Sequence, residues 1–169
     1  MIKIRLATLN DIKSINLLYK NVIRGLNEKK IDMLWGDVYP FCEVENDINS
    51  ESIYILEFEE NIIGSFVLSD FDDPDYHDIE WTNNDNFIYL NRLVVDPLFQ
   101  GRGFAMDALE LIENQMKDSE YKTIRLTVYE RNYPAINLYE KFGFKKVNVG
   151  FWQLEDKKFI GYEKEIKSV

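Results

Sequence analysis

The stretch from residue 87 to residue 129 constrains the fold more than any other part of the chain. It runs FIYLNRLVV, then a turn that begins at Asp96-Pro97, then an amphipathic helix over about 101–117, and then TIRLTVY. The first run alternates little, which is typical of a strand buried on both faces. A strand, a helix and a second strand in succession require parallel pairing and a right-handed crossover. The sequence therefore predicts an α/β protein.

The remaining patterns predict antiparallel strands and further helices around this crossover. Strands are expected over 2–6, 52–58, 62–68, 144–149 and 159–166, with a hairpin turn at 59–61 and a long loop over 70–86. Helices are expected after Thr8, whose capping partner is Asp11, over 31–35 and 43–48, and between Asn132 and Gly143. These elements predict a mixed, mostly antiparallel sheet with helices on both faces, in one domain over residues 1–169.

Composition and charge exclude several classes of function. The 169 residues are 46% hydrophobic, which suits one globular domain with a full core. The net charge of −10 argues against binding of nucleic acid, and it suits cationic substrates or simply solubility. One cysteine allows no internal disulfide, and no apolar run forms a signal peptide or spans a bilayer. We expect a soluble cytoplasmic protein that does not act at a membrane.

The turn from Gln100 to Ala105, with the sequence QGRGFA, is a candidate anion site. Small residues at a helix start let the backbone approach a ligand, and the free amides there hold anions. A nucleoside-triphosphatase loop requires lysine after its second glycine, whereas Phe104 follows Gly103 here. A dinucleotide fingerprint requires a third small residue where this chain has Met106. A tight turn without a ligand remains the alternative.

Two motifs together resemble the GNAT superfamily of N-acetyltransferases. The first is Gln or Arg, two residues, Gly, one residue and then Gly or Ala, and Gln100, Gly103 and Ala105 match it. The second is NYPAINLYEKFGF over 132–144, with an asparagine, a leucine-tyrosine pair and a closing Gly-Phe. The motifs stand in the superfamily's order and spacing. The resemblance implies a single N-acetyltransferase domain with the GNAT fold.

The resemblance implies acetyl-coenzyme A as the cosubstrate. Its pyrophosphate is expected over the amides of the turn, at the positive end of the helix dipole. The strand before the turn is expected to pair with the pantetheine arm, and family members carry a bulge in this strand. Arg102 is expected either to help with phosphate charge or to point to solvent. The implied cofactor-binding residues are Leu93, Val94, Val95, Gln100, Gly101, Arg102, Gly103, Phe104, Ala105 and Asn132.

The implied reaction is direct attack of a neutral amine on the thioester carbon, with neither a covalent enzyme intermediate nor a metal. An amide near Val95 would stabilise the developing oxyanion. Tyr139 matches the family's general acid, since a phenol of pKa roughly 10 stays protonated at neutral pH. The alternative for Tyr139 is a buried core aromatic residue.

The sequence leaves the general base open. Thr127 stands where some relatives have a glutamate, and it cannot serve as a base. His77 and its neighbours Asp78 and Glu80 lie in the loop before the central strand, where they could face the acceptor. We favour proton removal through ordered water, which Asn91 could orient.

The acceptor site is expected in the variable loops over 34–40 and 77–81. The candidate residues there and nearby are Trp35, Tyr39, Tyr76, Glu80, Trp81 and Asn91, and aromatic walls with carboxylates suit a cation. Alternatively, the aromatic residues only cover the core. The resemblance thus implies an N-acetyltransferase for a primary amine of a small molecule or a peptide amino terminus, and dimers are common in the superfamily. A non-catalytic module that senses acyl-coenzyme A on the same fold is the alternative function.

Overall fold

The structure, a computed structural model, describes residues 1–33, 35–73, 78–154 and 157–167, with the backbone alone for 148–154 and 157. The chain forms two compact units. One comprises Met1–Leu68 and Arg92–Ala108, and the other comprises Ser69–Asn91 and Leu109–Val169. In the described part of the chain, no helix has the length and apolar character needed to cross a bilayer.

The secondary structure follows the predicted order closely. The strands are β1 (Lys3–Leu6), β2 (Ile53–Phe58), β3 (Asn61–Ser69), β4 (Phe87–Val95), β5 (Thr123–Tyr129), β6 (Lys145–Leu154) and β7 (Lys157–Glu165). The helices are α1 (Ile12–Glu28), α2 (Val44–Asn49), α3 (Phe104–Lys117) and α4 (Tyr133–Phe142), and single 3-10 turns lie at Leu9–Asp11, Phe41–Glu43 and Pro97–Phe99. The predicted bounds of the fourth and fifth strands are confirmed to the residue.

The strands form one seven-stranded sheet in the order β1-β2-β3-β4-β5-β7-β6. β4 and β5 are parallel and pair through Phe87–Tyr89 of β4, as the strand–helix–strand crossover predicts. β1 with β2, β2 with β3, β5 with β7 and β6 with β7 are antiparallel. The predicted fold class, a mixed and mostly antiparallel sheet flanked by helices, is confirmed.

The core of the first unit lies between α1, α2 and the sheet. Ile15 and Tyr19 of α1 and Ile53 and Ile55 of β2 are fully buried there. These positions follow the helical spacing of α1 and the two-residue alternation of β2, so the apolar pattern of the sequence directly sets the packed faces. Val94, near the end of β4, packs against the same cluster.

The hairpin between β2 and β3 uses residues that seldom form such turns. Glu59 and Glu60 have φ of +49° and +64°, and Phe58 pairs with Asn61 across the turn. A two-residue turn with both φ values positive matches the twist of the flanking strands, and glycine or asparagine usually supplies it. Here the register of the sheet imposes the conformation on two glutamates.

The predicted helix over 31–35 is wrong for the residues that the structure describes. Lys30 has φ +57°, and the amide of Ile31 donates to the carbonyl of Leu26 at 2.9 Å, which closes α1. The described residues that follow, 31–33 and 35–38, form no helix. The side chain of Ile31 is buried, and the ring of Trp35 packs edge-on against that of Tyr19 at 5.7 Å. Tertiary contacts, and not a helix, therefore account for these apolar side chains; Leu34 lies outside the described residues.

The second unit is built on β5, β7 and β6. The ladder from Thr123↔Glu165 to Tyr129↔Phe159 places β7 between the other two strands. α4 begins at the Asn132 cap, with Pro134 in its first turn, and ends at Gly143, whose φ of +101° is left-handed. These start and stop signals were predicted from the sequence and are confirmed.

Candidate active site

The turn after β4 is held in place by Asp96, which is buried. Its backbone N–H donates to the carbonyl of Ile63 at 2.8 Å. One carboxylate oxygen accepts from the amide of Leu98 at 2.9 Å and the other from Nδ2 of Asn21 on α1 at 2.8 Å. The Asp-Pro pair of the motif therefore starts a 3-10 turn and ties it to α1. This is a structural role, which fixes where the glycine turn begins.

Gly101 and Gly103 are required by backbone conformation. Their φ values are +76° and +86°, in the left-handed region that other residues seldom adopt. A Cβ added at either residue would meet nothing within 4 Å. The sequence thus needs glycine here for the path of the chain, and the space beside both residues is open to a ligand.

The amides of the turn are free to bind a ligand. Among the described residues, none accepts a hydrogen bond from the backbone N–H of Gly101, Arg102, Gly103, Phe104 or Ala105. The next amides, those of Met106 and Asp107, donate to the carbonyl of Gly103 at 2.9 and 3.1 Å and begin α3. Five successive free donors at the positive end of a 14-residue helix suit a phosphate or diphosphate.

Gln100 braces this turn through its side chain. Its Nε2 donates to the carbonyl of Val95 at 2.9 Å, and its Oε1 accepts from Nζ of Lys29 at 2.9 Å. The glutamine of the motif therefore closes the loop back onto the end of β4. Lys29, which the sequence analysis did not single out, adds a positive charge at the edge of the turn and favours an anion there.

Arg102 lies over an aromatic cluster. Its Cζ lies 5.3 Å from the ring centre of Phe58, 5.6 Å from that of Phe99 and 4.9 Å from that of Phe104. Cation–π contact of this kind orders an exposed arginine. The sequence analysis expected Arg102 either to bind phosphate or to point to solvent, and it did not predict these aromatic contacts. The guanidinium remains exposed beside the free amides.

The end of β4 approaches β3 closely. Leu93 and Val94 are half-buried and Val95 is buried. A Cβ at Gly64 of β3 would overlap the carbonyl oxygen of Val94, so only glycine allows this approach of the two backbones. Arg92, just before these residues, has φ +48° within the strand. A left-handed residue inside a strand is the local sign of a bulge, which the family resemblance implied for this strand.

Arg92 makes a largely buried ion pair in the first unit. Its Nη2 contacts Oδ2 of Asp47, and its Nη1 donates to Oη of Tyr39 at 3.3 Å. Burial raises the pKa of Asp47, and the positive charge of Arg92 opposes that shift. The sequence carried a signal for this pair, because an arginine inside an apolar strand and an aspartate beside core residues of a helix both need partners.

Trp35 and Tyr39, two of the predicted acceptor residues, lie together in the first unit. Their ring centres are 6.1 Å apart, and Trp35 also contacts Tyr19. Trp35 and Phe41 line an open pocket of about 390 Å³ beside α1. Lys20, Ile23, Asn27, Gly36 and Asp37 complete its lining. Such a pocket, part aromatic and part charged, could hold a small polar acceptor.

Tyr139 lies on α4 in the second unit and is buried. Burial raises the pKa of its phenol well above the ordinary value. Its ring packs edge-on against that of Phe144 at 5.6 Å. A buried phenol that stays protonated is a competent proton donor. Both sequence interpretations, general acid and core aromatic, are compatible with this setting.

Asn132 caps α4, as predicted. Its Oδ1 accepts from the amide of Ala135 at 3.4 Å. This long hydrogen bond satisfies one of the amides at the start of α4. The expected role of Asn132 toward the cofactor arm stays a prediction.

Trp81 and Glu80 belong to the loop of the second unit that precedes β4. The ring of Trp81 packs against the guanidinium of the buried Arg125, 4.8 Å from its Cζ, and against Tyr89 at 5.9 Å. The side chain of Glu80 is exposed, and that of Asn91 is half-buried. Arg125 was missed from the sequence; it bonds Oδ1 of Asn84 at 3.0 Å and so fixes this loop.

The loop candidates for the base are only partly described. Asp78 is exposed, whereas His77 lies outside the described residues, as does Tyr76. Thr127 lies on β5 and is half-buried. No group of three potential ligands among histidine, cysteine, aspartate and glutamate gathers around a metal position within the described residues.

Comparison with known proteins identifies the family. The family described as acetyltransferase (GNAT) matches residues 23–144. The chain is 31% identical over 91 residues to the spermine/spermidine N(1)-acetyltransferase of Bacillus subtilis, covering 53% of this chain and 57% of that protein. It is 30% identical over 86 residues to the [ribosomal protein bS18]-alanine N-acetyltransferase of Haemophilus ducreyi, covering 44% of this chain and 59% of that protein. The matches thus span little more than half the length of these relatives.

Solved structures show the same fold. A GNAT-family acetyltransferase from Streptococcus agalactiae superposes with a TM-score of 0.85 at 21% identity, covering 99% of this chain and 96% of the other. One from Listeria monocytogenes superposes with a TM-score of 0.77 at 24% identity, covering 97% and 94%. The fold, the glycine turn with its free amides and the family match agree. The chain belongs to the GNAT acetyltransferase family.

Proposed function

We propose that this chain transfers an acetyl group from acetyl-coenzyme A to a primary amine of a small molecule or of a peptide amino terminus. The observation that carries the proposal is the run of five free amides from Gly101 to Ala105 at the start of α3. These donors, with the lysine at the edge of the turn, would bind the pyrophosphate of the cosubstrate. Acetyl-coenzyme A would supply the activated thioester.

The residues of the chain would then act as follows. Backbone groups of Leu93, Val94 and Val95 would hold the pantetheine arm, and an amide at Val95 would stabilise the oxyanion. Asn132 would bond the arm. Tyr139 would donate a proton to the departing sulfur, since burial keeps its phenol protonated at neutral pH. A neutral amine attacks directly, with its proton leaving through ordered water.

The acceptor class is proposed from charge and from the relatives. The net charge of −10 raises the local concentration of cations, and one relative's name specifies spermine and spermidine. Another relative's name specifies a protein's amino-terminal alanine. We therefore propose polyamines first and peptide amino termini second, with Trp35 lining the acceptor pocket, Tyr39 packed against Trp35, and Glu80, Trp81 and Asn91 as further contacts.

Titration calorimetry with two ligands tests the phosphate site. Acetyl-coenzyme A carries the pyrophosphate, and acetyl-pantetheine lacks it. We expect Gly103→Ala to weaken binding of acetyl-coenzyme A by roughly tenfold, because alanine at a left-handed φ shifts the free amides. Binding of acetyl-pantetheine should be nearly unchanged. Leu98→Ala, an exposed side chain near the turn, is the matched control.

Two results would count against the proposal. Absence of acetyl-coenzyme A binding at high micromolar concentration rejects the cofactor. Binding without release of free thiol in the presence of a panel of amines, which includes spermidine and an alanyl peptide, rejects catalysis and leaves the acyl-coenzyme A sensor.

A further inference from the structure

Arg92 holds an unfavourable backbone conformation in the middle of β4. Its φ of +48° lies in the left-handed region, which disfavours every residue with a Cβ. Such a residue persists only where its surroundings hold it in place. It directly precedes Leu93, Val94 and Val95. Whatever holds Arg92 therefore also sets the path of the strand that leads into the glycine turn.

The side chain of Arg92 is the element that can hold it. The side chains of Arg92 and Asp47 are only 10% and 9% exposed, and they form an ion pair. The guanidinium also donates to Oη of Tyr39 and lies 5.7 Å from the centre of that ring. Breaking a buried ion pair on one side leaves an uncompensated charge, so the pair resists any movement of the strand that would separate it.

Asp47 is in turn fixed by the fold. It lies on α2, whose neighbouring residues Val44 and Ile48 are buried in the core. Its backbone carbonyl accepts from the amide of Ser52 at 2.9 Å and from its hydroxyl at 3.2 Å. The carboxylate is thus presented from a rigid position, and the ion pair links β4 to a helix 45 residues earlier in the chain.

We propose that the Arg92–Asp47 ion pair positions β4, by holding Arg92 in the left-handed conformation and so keeping Leu93–Val95 in the path that receives the pantetheine arm. The consequence for acetyl-coenzyme A rests on the proposed function. Arg92 and Asp47 are positioning residues: they act through the strand backbone. The rival role is direct contact of Arg92 with the acceptor, because Nε of Arg92 is buried without a hydrogen-bond partner among the described residues.

A glycine-versus-alanine comparison separates these roles. Both variants carry Asp47→Asn, so that no buried carboxylate is left unpaired, and they add either Arg92→Gly or Arg92→Ala. Glycine adopts φ +48° freely, whereas alanine does not. In an ordinary strand glycine is the less favourable of the two. Positioning through the backbone predicts the opposite order at this position.

The readouts are the dissociation constant for acetyl-coenzyme A and the KM for the amine. We expect the alanine variant to bind acetyl-coenzyme A about tenfold more weakly than the glycine variant, which stays within about threefold of the wild type. Equal affinities in the two variants, or weaker binding by the glycine variant, overturn the proposal. An unchanged dissociation constant with an equally raised amine KM in both variants assigns Arg92 to the acceptor and also overturns it.

Hydrogen exchange tests the ion pair without any ligand. In Asp47→Asn, the amides of Leu93, Val94 and Val95 should exchange at least tenfold faster than in the wild type, while those in β7 keep their rates. Unchanged exchange at 93–95 overturns the proposal even if a double variant fails to fold. If wild-type protein does not bind acetyl-coenzyme A, the proposed function fails, and hydrogen exchange still decides whether the ion pair holds the strand.

Discussion

At the scale of single residues, burial keeps Tyr139 protonated, which is the form in which a phenol can donate a proton. The buried phenol packs against Phe144, and burial raises its pKa because the charged phenolate is poorly solvated there. The sequence motif located the residue, and its ordinary pKa was already sufficient for donation at neutral pH. The fold adds protection against ionisation in alkaline solution.

We predict that Tyr139→Phe lowers kcat by about 100-fold, at the lower end of what general acid catalysis contributes. Because the raised pKa keeps the wild-type phenol protonated, the ratio of wild-type to variant kcat should stay constant between about pH 7 and 9.5. Steady-state assays of thiol release across this range measure it.

Tyr133→Phe is the matched control for that measurement. It removes a hydroxyl from the same helix at an exposed side chain, and kcat should be unchanged. A ratio that falls toward one as the pH passes 9 would mean that the acid ionises at an ordinary pKa. An unchanged kcat in Tyr139→Phe would leave this residue as a core aromatic.

At the scale of elements, local signals predicted most boundaries. Asn132 and Gly143 bound α4, and Thr8 and Asp11 mark the start of the first helix, because each acts through hydrogen bonds or dihedral angles within a few residues. The helix predicted over 31–35 is wrong for the converse reason, because its signal was not local. Its apolar residues imitate a helical pattern, but the ring of Trp35 packs against Tyr19 of α1, and the described residues there form no helix.

The start of α1 also carries a pH-dependent contact. Arg5 of β1 donates to both carboxylate oxygens of Asp11 at 2.9 and 3.0 Å, and Asp11 accepts from the amide of Thr8 at 2.8 Å. The hydrogen bond from Arg5 is the main cause that lowers the pKa of Asp11 to about 2. A lowered pKa stabilises the folded state above the unfolded pKa near 4, and the contribution is lost as the pH falls toward 2.

We predict that Asp11→Asn lowers the free energy of unfolding by about 1 to 2 kcal/mol at pH 7. The figure allows for solvent screening, since Arg5 is partly exposed. The difference from wild type should shrink as the pH falls from about 4 to 2. Urea unfolding at several pH values measures it. A difference that persists unchanged at pH 2 would mean that the charge of Asp11 is not the stabilising feature.

At the scale of the whole molecule, the expectation of a single domain over residues 1–169 stays a prediction. The 169 residues suffice for one core, and two compact units are present in the chain. β4 and α3 each contribute residues to both units, so neither unit is a continuous piece of sequence. Such interleaving favours joint unfolding.

We predict one cooperative unfolding transition, with equal calorimetric and van't Hoff enthalpies. Asp11→Asn, which lies in the first unit, should shift the whole transition. Scanning calorimetry and circular dichroism measure it. Two transitions, only one of which moves in the variant, would show that the units unfold separately.

Acetyl-coenzyme A at about 100 times its dissociation constant should stabilise the wild type by about 2.7 kcal/mol.

The sequence by itself determined the class of fold, the family and the position of the glycine turn. A crossover requires parallel strands. Gly101 and Gly103 adopt positive φ values, as the motif around them predicts. Only the tertiary structure decided which side chains meet. Arg92 and Asp47 are 45 residues apart, and Arg125 reaches Asn84 across 41. Contacts of this kind depend on how whole elements pack, and no local dihedral preference or spacing encodes them.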